Sequence, residues 1–333
     1  MAFSNTYDTT NPGSAVSNRE DLKEVLTILA PEETPILSSA SRSNANATFV
    51  EWTVDSLDAP STEGIAEGAD VTSFADKFSG RARLGNFVQK FRKSFNVSDL
   101  QEAVDSVGPA KIAQAETKAV REIKRDMEAT LCSDNDRSQE DGAGSVYKLR
   151  GLGKWIESSA DTGGAGAPAD VPDAFKTPAG SIFNDNNNFT ETEFNDLITS
   201  VYTVTGNTNS LTLIADTALR RSISDFARID DTSSTTSVRQ VNYDGNTAQI
   251  TLSVEMYKSD HGMVSIVNGN PDCMPGSGER GYLINPEYYS LAELIPLGST
   301  RLPNMGGGER GYVDGSITLM MQHPGAHGKI VDI

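Results

Sequence analysis

The chain has 333 residues and a formal net charge of −18, with 37% hydrophobic and 7% aromatic residues. That length can bury a sizeable core, but so low an apolar content assigns much of the chain to loops, arms and interfaces. The charge argues against a protein that grips nucleic acid through clustered cations, though not against a surface that lies beside packaged DNA.

Residues 1–18 are polar, include Pro12 and Gly13, and read as an extended arm that orders only against something else. They carry neither a basic segment nor an apolar run, so no secretory signal is expected. Asn18 is placed to cap a short helix from Arg19 to Leu29, with Leu22, Val25, Leu26 and Leu29 on one face. Pro31 and Pro35 should stop that helix and send the chain on in extended form.

From Thr48 to Leu57 apolar and polar residues alternate. Val50, Trp52 and Val54 point one way, and Glu51, Thr53 and Asp55 the other, which predicts a half-buried strand. A second strand is expected from Arg81 to Val97, with Phe87, Phe91 and Phe95 on one face. Period-four spacing also suits a helix, but Gly85 and the β-favouring composition point to a strand. Glu63, Gly64, Glu67, Gly68 and Asp70 lie between the two runs, too far apart for a tight turn. The unit over 47–97 therefore reads as a two-stranded ribbon with a wide acidic tip, a structure only marginally stable alone. Its second strand carries Arg81, Arg83, Lys90, Arg92 and Lys93 with no acid among them. Cations beside aromatics suit single-stranded nucleic acid. In so acidic a chain, the acidic surface of a neighbouring copy is the favoured partner. Trp52, Arg81, Arg83, Phe87, Lys90, Phe91, Arg92 and Phe95 are the candidate inter-subunit contacts.

Ser98 is placed to cap a short helix, with Gln101 completing a capping box. Gly108 ends it, and Pro109 opens a long helix that runs to Cys132. Ile112, Ala115, Ala119, Val120, Ile123, Met127 and Leu131 form its apolar stripe. Lys118–Glu122 and Lys124–Glu128 are spaced for ion pairs on its exposed side. At about 1.5 Å per residue the helix spans roughly 35 Å, long enough to be the spine of a flat domain.

Residues 158–188, rich in Gly, Ala, Pro and Asn, read as a loop or domain boundary. Beyond them come a helix capped by Thr190 (Glu191–Val204), a strand (Leu211–Ala215) and a helix capped by Asp216 (Thr217–Arg228). Strands are expected at Val238–Tyr243 and Ala248–Tyr257, joined by the turn Asp244–Gly245. More follow at Met263–Val267, Gly281–Ile284, Tyr288–Ile295, Tyr312–Gln322 and Lys329–Ile333. GERGY occurs at 278–282 and 308–312, each time opening a strand, and chance accounts for so short a repeat. The fold class is α+β.

Chemistry is sparse. His323 and His327 lie in HPGAH, where Pro324 and Gly325 exclude the helix that would stack two imidazoles on one metal. His261 reads as a turn residue. Cys132 and Cys273 belong to no CxxC pair and read as reduced thiols. No nucleophile elbow, zinc-protease helix, phosphate loop or calcium-loop spacing occurs. No catalytic, cofactor or metal site is expected, and no window approaches about 18 consecutive apolar residues, so no membrane span is expected.

Polar arm, long ribbon, short helix, spine helix and a separate α/β lobe follow one another in an order that resembles the Hong Kong 97-type major capsid protein of tailed bacteriophages. The strings Asn18–Leu22, Pro31–Leu37, Glu51-Trp52, Asp55–Leu57 and Glu67–Ala69 carry the resemblance. So do Arg81–Arg83, Phe91–Lys93, Val97-Ser98, Glu102–Val104, Lys124–Asp126, Glu287–Tyr289 and Gly328–Asp332. They look like the branch typified by a podovirus with a long prolate head. The resemblance implies an N-terminal arm (1–46), an extended loop (47–97), a peripheral domain (98–156 and 296–333) on spine helix 109–132, and an axial domain (157–295). It implies self-assembly into hexamers and pentamers as an icosahedral shell around double-stranded DNA, without specific DNA binding. Founding members carry a long N-terminal scaffolding segment. The short polar arm here instead implies a separate scaffolding protein, alongside a portal and a decoration protein as partners. The expected place is the virion capsid, assembled in the host cytoplasm. Some members crosslink subunits through a Lys–Asn isopeptide bond, and no residue here is assigned to one. The competing readings are a decoration or tail structural protein, and then a hydrolase.

Overall fold

The computed structural model describes residues 31–331 apart from 105–110, 159–167, 185–188, 207, 209, 227–228, 231–236, 239–240, 245–246, 251–253 and 275–278. The polar arm, the helix expected over Arg19–Leu29, the Gly108-Pro109 start of the spine and the turn after Asp244 lie outside these residues.

In chain order the first elements are α1 (Pro35–Ser39), β1 (Ser41–Asn44), β2 (Phe49–Val54), β3 (Ala82–Phe87), β4 (Gln89–Val97), α2 (Asp99–Ala103), α3 (Lys111–Leu131) and α4 (Leu152–Trp155). Next come β5 (Ile182–Asn184), α5 (Glu191–Thr205), β6 (Leu211–Ala215), α6 (Thr217–Phe226), β7 (Ile229–Asp230), β8 (Ser237–Val238), β9 (Val241–Asp244) and β10 (Thr247–Ile250). The last are β11 (Met256–Ser259), β12 (Gly262–Asn268), β13 (Glu279–Ile284), β14 (Tyr289–Leu302), β15 (Glu309–Met321) and β16 (Gly328–Val331).

The stripe read along the spine is the buried face of α3. Ala119, Ile123, Met127 and Leu131 are buried in one core with Phe91 and Phe95 of β4 and Val313, Ile317 and Leu319 of β15. Those strands belong to a four-stranded sheet in the order β1-β14-β15-β4. Ser98 caps α2 as expected, its hydroxyl accepting from Gln101 N at 3.2 Å. Pro35 opens α1 rather than prolonging an extended segment. At the first helical position its fixed φ suits the helix, and the missing N–H costs nothing there.

A six-stranded sheet, ordered β11-β12-β6-β13-β16-β5, forms the second layer. Thr190 caps α5 and the Asp216 carboxylate caps α6 through Leu219 N at 2.8 Å. Both helices lie on one face, where Phe194, Leu197, Ile198, Leu219 and Ile223 meet Leu211, Leu213, Val264 and Leu283. From the other face Ile214, Tyr282 and Ile284 enter the spine core, and the Tyr282 hydroxyl donates to Cys132 O at 2.6 Å. The closing strand β16 pairs with β13 and β5. Its buried Lys329 holds Glu157 at 2.7 Å, which fastens the end of the chain to the segment after α4.

Three expected strands are corrected. The run 81–97 is two strands broken at Val88, because β3 pairs with β2 whereas β4 pairs with β15. The runs expected at 288–295 and 312–322 extend toward each other as one long hairpin, β14 to Leu302 and β15 from Glu309. The second glycine of each GERGY permits a close approach. A Cβ at Gly281 would collide with the Leu219 side chain, and one at Gly311 would lie 2.6 Å from the Phe95 ring and 2.8 Å from Thr300 O.

Candidate assembly surface

The ribbon stem is β2 against β3, in register from Phe49↔Phe87 to Val54↔Ala82. Alternation along β2 turns Trp52 and Val54 inward, and the Trp52 ring lies 5.7 Å from Trp155 of the chain's own core. Trp155 in turn lies under Arg150, a guanidinium 1% exposed. Arg150 bonds Asp136 at 2.7 Å and both oxygens of Asp170 at 2.6 and 3.2 Å. Arg150 and Arg137 hold the Asp170 carboxyl below its ordinary range, although partial burial pushes the other way.

The eight candidate contact residues divide. Phe91 and Phe95 are buried against α3, and half-buried Phe87 packs between Phe49 at 4.6 Å and Tyr147 at 5.6 Å. Those aromatics find their seats within the chain. The cations keep about half or more of their side-chain surface exposed, and each has an acid on its own chain. Arg81 meets Asp55 at 2.7 Å, Arg83 meets Glu51 at 3.7 Å, and Lys90 and Arg92 share Asp314 at 3.2 and 3.3 Å. Nearby Lys93 meets Asp126 at 2.7 Å. Asp314 lies more than two hundred residues from its partners, so no inspection of the basic run itself could have found it. Such half-exposed pairs each contribute at most about 1 kcal/mol and leave guanidinium donors for other partners.

The tip has few partners on its own chain: Lys77 meets Asp58, and Arg81 lies 4.2 Å over the Phe78 ring. Between Val54 and Ala82 the chain has no strand or helix and exposes Leu57 (99%), Ile65 (88%), Val71 (70%), Phe74 (89%) and Phe78 (62%). Its acids Asp58, Glu63, Glu67, Asp70 and Asp76 are exposed among them. The sequence reading noted the acids and missed the apolar side chains, which recur without strand or helix period.

A groove of about 570 Å³ opens on the outer face of the four-stranded sheet, beside the 138–148 loop. Val88, Tyr147, Leu294 and Ile295 supply its apolar wall, with Lys90 and Arg92 also lining it. Among the described residues no group of three or more His, Cys, Asp or Glu could hold a metal, and no helix is long and apolar enough to cross a membrane.

The chain is a two-layered α+β subunit with an exposed loop rich in apolar side chains, and its fold is that of phage capsid proteins. Solved structures agree on the fold. The capsid of the cyanophage P-SCSP1u matches at TM-score 0.64 and 11% identity, over 96% of this chain and 94% of that one. The capsid of an empty GTA particle matches at 0.64 and 14%, over 98% of both chains. A structure from Mycobacterium phage Adephagia matches at 0.63 and 10%, also over 98% of both chains. No curated protein matches the chain.

Over residues 3–333 the sequence matches the family described as SU10 major capsid protein, and the chain belongs to that family. It is a shell-forming major capsid protein, a structural component of the virion capsid that assembles with copies of itself into capsomers. The decoration and tail readings give way to that match.

The division between seated and unseated aromatics is measurable in the unassembled chain. Phe95→Ala should lower its unfolding free energy by about 3–5 kcal/mol, as large-to-small core substitutions do. Phe74→Ala should change it by less than about 0.5 kcal/mol. Urea denaturation of both variants checks this, and equal costs would contradict the assignment.

Proposed function

We propose that the chain assembles into hexamers and pentamers that tile an icosahedral shell around double-stranded DNA, with each ribbon tip seated on a neighbouring copy. The observation that carries the reading is the tip, whose five large apolar side chains are exposed on their own chain. The groove beside Val88, Tyr147 and Ile295 is its proposed seat, since its apolar wall suits the apolar residues, and its two cations, against one lining acid, Glu140, suit the acids between them. Burial of each large apolar side chain contributes about 1.5–3 kcal/mol and is insensitive to salt. Rim charge pairs add less and are screened. Of the candidate contacts, Arg81, Arg83, Lys90 and Arg92 keep an inter-subunit role in this reading. Trp52, Phe87, Phe91 and Phe95 support the stem and sheet that present them.

The reading extends to partners by resemblance: a separate scaffolding protein, a portal and a decoration protein, with assembly in the host cytoplasm. The net charge of −18 supports a wall that repels packaged DNA rather than binding it specifically. We read the chain as structural, with no catalytic or cofactor role.

Double substitution Ile65→Asp and Phe74→Asp should leave the chain folded by circular dichroism yet abolish particles in electron micrographs. Normal particles from this variant would overturn the seating of the tip. Expression of the unaltered chain alone should give free capsomers or aberrant particles. Uniform shells of one size would remove the need for a separate scaffold.

A further inference from the structure

Glu128 is a charged residue on the spine helix that turns inward. It is 1% exposed, and its two carboxylate oxygens accept hydrogen bonds from Ile36 N and Leu37 N, each at 2.9 Å. Those are among the amides that the start of α1 leaves without intrahelical partners. Thr34, at the cap position, makes no side-chain cap bond. The cap of α1 therefore comes from a carboxylate about ninety residues away in sequence.

The segment 31–44 has other tethers, mostly peripheral. Arg121 meets Glu32 at 2.9 Å in solvent, Asn270 donates to Pro31 O and Glu33 O at 3.3 and 2.8 Å, and β1 pairs in parallel with one edge of β14. Arg42 reaches Glu293, and Ser39 bonds the Tyr289 hydroxyl at 2.7 Å. Ile36, Leu37 and Ala40 pack in the spine core, and among the polar ties Glu128 alone joins the segment to α3 from inside that core.

No cation balances that carboxylate among the described residues. Cys273, on the connection after β12, and Tyr289, on β14, face it from packed elements. Burial first, and then the Glu128 charge, hold both in their neutral forms. On its own helix Arg125 is taken by Asp272 at 2.5 Å and Arg121 by Glu32. The spacing that suggested a Lys124–Glu128 pair is thus overridden by the inward turn of Glu128.

We propose that Glu128 is a proton-responsive clasp for the segment Pro31–Asn44, which docks firmly on the spine helix while Glu128 is neutral and loosens as Glu128 takes its charge. A neutral carboxyl keeps one of the two amide bonds through its carbonyl oxygen, weakens the other at its hydroxyl, and sheds the cost of a buried charge. In the docked state burial pushes the Glu128 pKa up to about 7, with the two amide bonds opposing it. Undocked, the carboxyl meets water and titrates near its ordinary 4.5. The docked state therefore binds the proton more tightly. Docking is strongest below about pH 4.5 and weakens as pH rises through about 7. This device depends only on the fold of the single chain, not on the seating of the ribbon tip.

Hydrogen exchange on the full-length chain tests it. After correction for intrinsic exchange, protection of amides 36–44 should fall between pH 5 and pH 8, by up to on the order of 10²-fold, while that of β4 and β15 holds. Glu128→Gln, neutral at every pH, should keep protection of 36–44 at its acidic level throughout. Unchanged or rising protection in the natural chain would overturn the clasp, as would a variant that follows the natural pH profile. If the variant does not fold, the pH profile of the natural chain decides alone.

Discussion

The structure rests on the packing of α3 across the inner face of β4 and β15. The helix stripe Ala119, Ile123, Met127 and Leu131 meets Phe91, Phe95, Val313 and Ile317, all buried. At about 1.5–3 kcal/mol for each large side chain, this contact outweighs the ion pairs on the surface. It also sets positions elsewhere. β4 leads back through Val88 to the ribbon stem, the end of α3 receives the Tyr282 hydroxyl, and Glu128 faces α1 because its neighbours in the stripe face the sheet.

What was legible in the sequence was local. The spine declared itself through a 3.6-residue period and β2 through alternation, and Ser98 and Thr190 were visible as caps because capping is decided within four residues. What was illegible depended on distant partners. One strand was expected over 81–97, and only the pairing of β3 with β2 and β4 with β15 reveals the switch at Val88. The cations of that run looked unmatched because Asp314 and Asp126 come from elsewhere. Glu128 read as an ordinary surface charge and Arg150 drew no reading at all, since burial of a charge depends on donors or acceptors that other segments supply. The family resemblance was carried by short strings spread along the chain, and the match over 3–333 now stands behind it.

The ribbon tip divides stability from function. Monomeric proteins rarely leave several large apolar side chains exposed in one loop, and such groups mark interaction sites. Here they sit on a two-stranded stem anchored by Trp52 on Trp155, so the loop is presented by a rigid element while its own burial is deferred. The half-exposed cations around it contribute little to the single chain, and in the proposed reading they guide the approach of an acidic, apolar segment. In the proposed assembly such a subunit completes its burial against copies of itself.

The claim that the tip completes its burial on a neighbouring copy is tested most directly by a cryo-electron microscopy reconstruction of the assembled particle. Density for residues 55–80 should lie across the groove beside Val88, Tyr147 and Ile295 of an adjacent subunit. A tip folded back on its own chain, or projecting into solvent with that groove empty, would contradict the account.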